Sequence, residues 1–158
     1  MTQVPKKTKT FRNSQPVSGI FREIKTPTLT GKTASLKPDP HILHDDDQKL
    51  DLARLDGHKI TIWEDGTCES NFKVTSLGAE PGGILPATLV YHFLDSENRE
   101  IAKWSEGTFP VTCGTMNEPH HPRGGYNGSL YDRIAHVECP VEGTWLWCAS
   151  DDDDDEIK

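Results

Sequence analysis

The chain has 158 residues, a length typical of one domain with extended ends, and a net charge of −8. Its hydrophobic content of 34% is low, which indicates a modest core beside solvated segments. The negative charge argues against a general nucleic-acid binder, because such proteins bind by neutralising phosphates. The sequence has no apolar run of about 18 residues, so no membrane-spanning helix is predicted. It also lacks an apolar signal core, which predicts a cytoplasmic protein, or a secreted one if a leader has been removed.

Charge is distributed unevenly along the chain. Residues 1–32 carry seven Lys or Arg residues against one acid, whereas 151–156 is an unbroken run of aspartates that ends in a glutamate. Blocks of like charge repel themselves and stay extended in water. The composition therefore predicts a disordered basic tail at 1–16 and a disordered acidic tail at 150–158.

Residues 17–40 are rich in Ser, Thr and Pro, yet they hold several large apolar side chains near their start. These are Val17, Ile20, Phe21 and Ile24. A fully disordered linker has little reason to hold such side chains. We therefore predict an irregular arm with one possible edge strand over 17–40, followed by the domain itself over 41–149.

The strongest strand signals lie within 59–104 and predict two consecutive β-hairpins. In the first, Asp65-Gly66 separates two alternating arms, and Asp-Gly is typical of type I′ turns, in which both central residues need positive φ. In its return arm one face holds Cys68, Ser70, Phe72 and Val74. The second hairpin is predicted to run through 88–94, turn at 95–98 and return to Trp104.

A further Asp-Gly pair at 56–57 predicts another tight turn, which would make 59–63 a short strand of a β-meander. The chain as a whole has about seven or eight short strand signals and no helical pattern of useful length. This pattern predicts an all-β fold, an antiparallel β-sandwich whose layout could be immunoglobulin-like. A small β-barrel is the alternative.

The most chemically loaded stretch is the long irregular loop 114–129. Loops of this length inside a compact domain are uncommon and are more often functional than short ones. Its aromatic, cationic and imidazole side chains suit contact with a partner. We predict that His120, His121, Arg123 and Tyr126 bind another protein.

The same loop offers a possible metal site at Glu118, His120 and His121, because carboxylate and imidazole groups suit zinc and related ions. Adjacent histidines do not easily place both rings on one ion, and the spacing matches no established metal motif. The sequence therefore predicts no cofactor, with a divalent metal as the alternative.

The last predicted strand carries Trp145 and Trp147 on one face, where exposed tryptophans would form a binding platform for a protein or a sugar. Core packing is the alternative for at least one of them. Cys139 and Cys148 bracket this segment and could form a disulfide. Reduced structural thiols are predicted first, because there is no C-x-x-C pair and Cys68 falls on an inward strand face.

Local signatures of catalysis are absent from the sequence: there is no Gly-x-Ser-x-Gly elbow, phosphate-binding loop, His-Glu-x-x-His motif or dinucleotide fingerprint. The sequence therefore predicts a non-catalytic module that binds another protein through the 114–129 loop and the charged tails. The first alternative is a metal- or carbohydrate-binding β domain. The second is a hydrolase with a site assembled from loop histidines.

Overall fold

The structure of the chain, a computed structural model, describes residues 8–13, 16–45, 51–77, 87–109 and 116–146. Within these ranges the chain is almost entirely β, with one short 3-10 helix at Gly128–Arg133. No helix in the same ranges has the length and apolar character needed to cross a membrane.

Thirteen strands, all paired antiparallel, lie in the described ranges, more than the seven or eight that the sequence pattern predicts. They are β1 (Thr8–Asn13), β2 (Val17–Ile20), β3 (Arg22–Lys25), β4 (Thr30–Ser35), β5 (His41–Asp45), β6 (Asp51–Trp63), β7 (Thr67–Ser76), β8 (Ala87–Leu94), β9 (Glu100–Phe109), β10 (Glu118–His120), β11 (Arg123–Gly125), β12 (His136–Cys139) and β13 (Val141–Leu146). Three of the additional strands, β3, β10 and β11, are only three or four residues long and rich in Gly, Pro or charged residues, so periodicity does not reveal them.

The strands pack in two layers. Ladders join β3, β4, β6 and β7 in that order, and β9, β8, β12 and β2 in that order, while β5, β1 and β13 link β6 to β8. Side chains of β6 and β7 contact those of β8 without a ladder between them, as sandwich layers do. The predicted antiparallel sandwich is thus confirmed, and the described strands do not close into a barrel.

The core lies between β6 and β7 on one side and β8 on the other. Its side chains come from alternate strand positions, each at most 3% exposed: Ile60, Ile62, Phe72, Val74, Leu89, Tyr91 and Phe93. Burial of a large apolar side chain contributes roughly 1.5–3 kcal/mol relative to exposure. The alternation that predicts these strands therefore also identifies the face that stabilises the fold.

The β6–β7 hairpin has the predicted position but not the predicted turn type. Gly66 donates its N–H to the carbonyl of Trp63 at 3.0 Å and has a φ of +96°, whereas Asp65 is not in the left-handed region. The connection is a three-residue loop that ends in a left-handed glycine, so the type I′ prediction is wrong. Asp65 Oδ1 accepts hydrogen bonds from Thr67 N and Oγ1, at 3.0 and 2.7 Å, and these bonds lower the pKa of Asp65.

The second Asp-Gly pair, predicted as a turn, lies inside the long strand β6. Gly57 has a φ of +64°, and the register between β6 and β7 shifts between Asp56 and Lys59. The pair is therefore a β-bulge, and the predicted turn at 56–57 is wrong. A left-handed glycine serves a bulge as well as a turn, and the dipeptide alone does not distinguish them.

Strands β1 to β4 fall in the ranges 1–16 and 17–40, which composition assigns to a tail and an arm. β1 pairs with β13 and β5, and β2 pairs with β12, so these strands extend the sheets of the domain. Composition hides β1 and β4 because their residues are mainly Thr, Ser, Lys and Gly rather than large apolar groups. The predicted acidic tail at 150–158 lies outside the described residues.

Candidate functional site

The segment predicted as an irregular loop over 114–129 forms two short strands along the edge of β7. β10 pairs with 72–74 and β11 with 67–69, and the carbonyl of Pro122 accepts the N–H of Ser70 at 2.9 Å between them. The prediction of an irregular loop is therefore wrong for residues 118–120 and 123–125. Pro, Gly and His give no strand signal, and the open edge of β7 supplies the pairing.

His120 faces inward from β10. It lies opposite Phe72 in the ladder, and the two rings stack with centroids 5.4 Å apart and planes 13° apart. Glu118, two residues earlier on the same side, places Oε2 3.5 Å from His120 Nε2. Ring stacking on a core phenylalanine indicates that His120 closes the edge of the core.

His121 lies on the opposite side of the same segment. Its Nδ1 hydrogen-bonds Oδ1 of Asn71, whose side chain points away from the face that holds Phe72. The two adjacent histidines are therefore directed to different sides of the sheet edge. Across the described ranges, no group of three or more His, Cys, Asp or Glu side chains is close enough to hold a metal ion.

Gly124 and Tyr126 attach the segment to the core. A Cβ on Gly124 would lie 2.5 Å from Trp104 Cε2, so only glycine allows β11 to lie flat on this indole. Tyr126 donates its hydroxyl to the carbonyl of Trp63, and its ring meets Phe93 edge-on at 5.9 Å. Burial raises the pKa of Tyr126. Tyr126, predicted to bind a partner, is thus engaged within the fold.

The outer side of the segment is exposed. Met116 is 75% exposed, and Pro119, His121 and Arg123 also face solvent. Of the two tryptophans predicted as a platform, Trp145 lies in β13 opposite Lys9, but its side chain is outside the described part, as is all of Trp147.

A second polar cluster, which the sequence analysis misses, lies inside the sandwich. His41 Nε2 is 3.0 Å from His58 Nδ1, and His58 Nε2 is 2.7 Å from the hydroxyl of Tyr91. The same hydroxyl hydrogen-bonds Oγ of Ser70. These hydrogen bonds form a continuous series across the core, and each of the four residues is at most 3% exposed.

Burial favours the neutral form of both imidazoles. Burial lowers the pKa of His41 to about 4, and burial together with the neighbouring His41 lowers the pKa of His58 well below its usual value. His41 Nδ1 is buried with no hydrogen-bond partner among the described residues. The rings of His41 and His58 also stack, with centroids 5.2 Å apart.

Strand phase is the signal that could have revealed this cluster. His58 has the same parity as Ile60 and Ile62, Ser70 shares a face with Phe72, and Tyr91 lies between Leu89 and Phe93. Because all four polar side chains are enclosed, a substrate cannot reach the hydroxyl of Ser70. The arrangement orders the core and does not form an accessible catalytic site.

Two of the four cysteines can be placed. Cys68 and Cys139 are both buried, and burial raises the pKa of the Cys139 thiol. Cys148, the partner in the alternative disulfide, lies outside the described residues, as does Cys113.

Comparison of the chain with protein-family models, with curated proteins and with solved structures found no match in any of the three.

Proposed function

We propose that the chain is a non-catalytic module that binds another protein through the outer side of residues 116–125. The observation that carries this proposal is the division of the segment between anchored and exposed side chains. His120 and Gly124 are held against core aromatics, whereas Met116, His121 and Arg123 are exposed.

Such a surface is preorganised, since its backbone is already ordered by ladder hydrogen bonds with β7. Binding then avoids most of the entropic cost of ordering a loop. Met and Arg are enriched at protein interfaces, and both are exposed on this side. Pro119 has no N–H, which disfavours the addition of another strand at this edge, so recognition would use side chains.

The charged tails are part of the same proposal. Six consecutive acidic residues at 151–156 would attract a basic partner and raise its rate of association. Removal of residues 150–158 is expected to slow association and to reduce its dependence on salt, with little effect on dissociation.

The test is a quantitative capture experiment with the full chain and a triple variant in which Met116, His121 and Arg123 are changed to alanine. A matched control replaces three exposed lysines, Lys25, Lys59 and Lys103. We expect a stoichiometric protein partner that the triple variant loses and the control retains, with unchanged melting temperatures. Equal recovery by the two variants would reject the surface.

A further inference from the structure

A cleft of about 970 Å³ opens on the outer surface where the chain passes from β2 to β3. One wall consists of β2 and β12, and the other of β3, β4 and the residues that follow β4. Its volume is in the range of small-molecule sites, roughly 300–1,000 Å³. The residues of the 116–125 surface do not line it.

The first wall combines an apolar and a polar strip. Ladder pairing sets Ile20 opposite His136 and Ser18 opposite Glu138. Ile20 is 66% exposed, one of the two most exposed large apolar side chains in the described ranges. An exposed aliphatic group beside hydroxyl and carboxylate groups suits a ligand with both C–H and O–H faces.

The second wall carries cations and hydroxyls. Arg22 lies opposite Thr33 in the β3–β4 ladder, and Ser35 follows on the same face of β4, with Lys37 beyond it. Arg22 and Lys37 form no ion pair with any residue in the described ranges. The cleft is lined by two cations and one carboxylate, that of Glu138, in a chain of net charge −8.

The two walls are held together by backbone contacts. Ser18 N–H donates to the carbonyl of Lys37 at 3.1 Å, and Lys37 N–H donates back to Ser18 at 2.9 Å. A Cβ on Gly19 would lie 2.5 Å from the carbonyl oxygen of Ser35, so the close approach of β2 to β4 requires glycine. The cleft is therefore built into the sheet.

Side-chain hydrogen bonds in and beside the walls also order the cleft. His136 Nδ1 donates to Oδ1 of Asn98 at 2.9 Å, which orients the ring and leaves Nε2 as an acceptor in the neutral form. Lys32 donates to the carbonyls of Tyr131 and Ile134, at 2.7 and 2.9 Å, and so ties the segment before β12 to β4. Burial lowers the pKa of Lys32.

From this arrangement we infer that the cleft binds a small anionic sugar, a hydroxylated ring with one phosphate or carboxylate group. Arg22 and Lys37 would bind the anionic group, because guanidinium and ammonium groups pair strongly with such oxygens. Ser18, Thr33, Asn98 and Glu138 would exchange hydrogen bonds with the ring hydroxyls. The carboxylate of Glu138 repels a polyanion, which favours a ligand that carries one anionic group and several hydroxyls.

The test measures binding of glucose 6-phosphate, glucuronate, glucose and inorganic phosphate to the full chain by calorimetry and by backbone NMR shifts. We expect both anionic sugars to bind, with shifts at residues 18–22 and 136–138, and each to bind at least ~10-fold more tightly than glucose or phosphate. Absence of binding by both anionic sugars at ~10 mM would reject the proposal. Phosphate that binds as tightly as the sugar phosphate would identify an anion patch instead.

Variants provide the matched control. The double variant R22Q/K37Q is expected to bind the anionic sugars at least ~10-fold more weakly than the unchanged protein. The control K25Q, on the same strand as Arg22 but outside the cleft, is expected to leave binding unchanged. All three side chains are exposed, so the fold is retained, which circular dichroism checks. Equal weakening by K25Q would show that general surface charge causes the binding and would overturn the assignment.

Discussion

The two pairs of histidines show how strand geometry decides which side chains meet. His120 and His121 are adjacent in sequence, but one stacks on Phe72 and the other hydrogen-bonds Asn71 on the opposite side of the sheet edge. His41 and His58 are 17 residues apart, yet His41 Nε2 lies 3.0 Å from His58 Nδ1. Sequence proximity suggests that His120 and His121 share a site. The pairing of β5 with β6 instead brings His41 and His58 into contact.

The pairs also differ in energetics. Inside the core a hydrogen bond that is made contributes about 0.5–1.5 kcal/mol, but a buried polar group that loses its partner costs about 1–3 kcal/mol. At the surface, water replaces the missing partner and the cost is small. The buried pair is therefore a determinant of stability, and the exposed side of the other segment can change without unfolding the chain.

The largest expected effect comes from His58→Ala. This change leaves a cavity and removes one hydrogen-bond partner from each of His41 and Tyr91, so we expect a loss of about 3–5 kcal/mol in the free energy of unfolding. His121→Ala should change it by about 0.5 kcal/mol or less, because that side chain is exposed. Urea denaturation of the two variants measures the contrast. Similar losses in both would contradict the division between the buried pair and the exposed His121.

Acid should destabilise the protein through the buried pair. The folded-state pKa of His41 is lowered to about 4, and that of His58 is also lowered, whereas an unfolded histidine titrates near 6.5. Between these values the unfolded chain binds more protons, so the stability present above pH ~6.5 is lost as the pH falls toward ~4. The negative charges of Asp39 and Asp56 oppose this shift in the pKa of His41, but desolvation outweighs them.

The expected loss from His41 alone is about 2–3 kcal/mol between pH 7 and pH 4.5. Denaturation curves across this range measure it, with His41→Gln as the variant that should flatten the dependence and His121→Ala as the variant that should not. A wild-type stability that is constant over the range would contradict the neutral buried pair.

Neighbouring glycines of β11 provide the next contrast. Gly124→Ala forces a methyl group into Trp104 and should cost about 1–3 kcal/mol, because the packed indole has little room to move. Gly125→Ala meets only the carbonyl oxygen of Gly66, at 3.3 Å, and should cost less than about 1 kcal/mol. Thermal unfolding of the two variants measures the difference, and the reverse order would disprove the contact of β11 with Trp104.

The smallest effect is expected from Tyr126→Phe. The variant keeps the ring contact with Phe93 but loses the hydroxyl that donates to the carbonyl of Trp63, which predicts a loss of about 1 kcal/mol. Affinity for the proposed protein partner should not change. A partner that binds the Phe variant more weakly, at equal stability, would return Tyr126 to the binding surface.

Alternation and turn residues predict the two central hairpins and the sandwich class, because β6, β7 and β8 each have one face buried in the core. They do not predict the bulge at Gly57 or the strands β10 and β11. An Asp-Gly pair is compatible with both a turn and a bulge, and a short edge strand is specified by its neighbour rather than by its own residues.

The candidate sites were predictable to a smaller extent. The segment 116–125 stands out from its composition, but which of its side chains point outward depends on its register with β7. The alternation of buried and exposed positions along β6 and β7 identifies His58 and Ser70 as inward-facing. The residues around them do not indicate that His41 and Tyr91 complete the series of hydrogen bonds. The cleft depends on the passage of the chain from β2 in one layer to β3 in the other, which local patterns do not encode.

The most direct test of the account is an NMR titration of the imidazole nitrogens of the seven histidines. We predict that His41 and His58 remain neutral at pH ~5.5, each with one protonated and one unprotonated ring nitrogen, and that a coupling across the hydrogen bond joins His41 Nε2 to His58 Nδ1. Titration of both residues near pH 6.5, as in an unfolded peptide, would contradict the buried pair and the packing of the two layers derived from it.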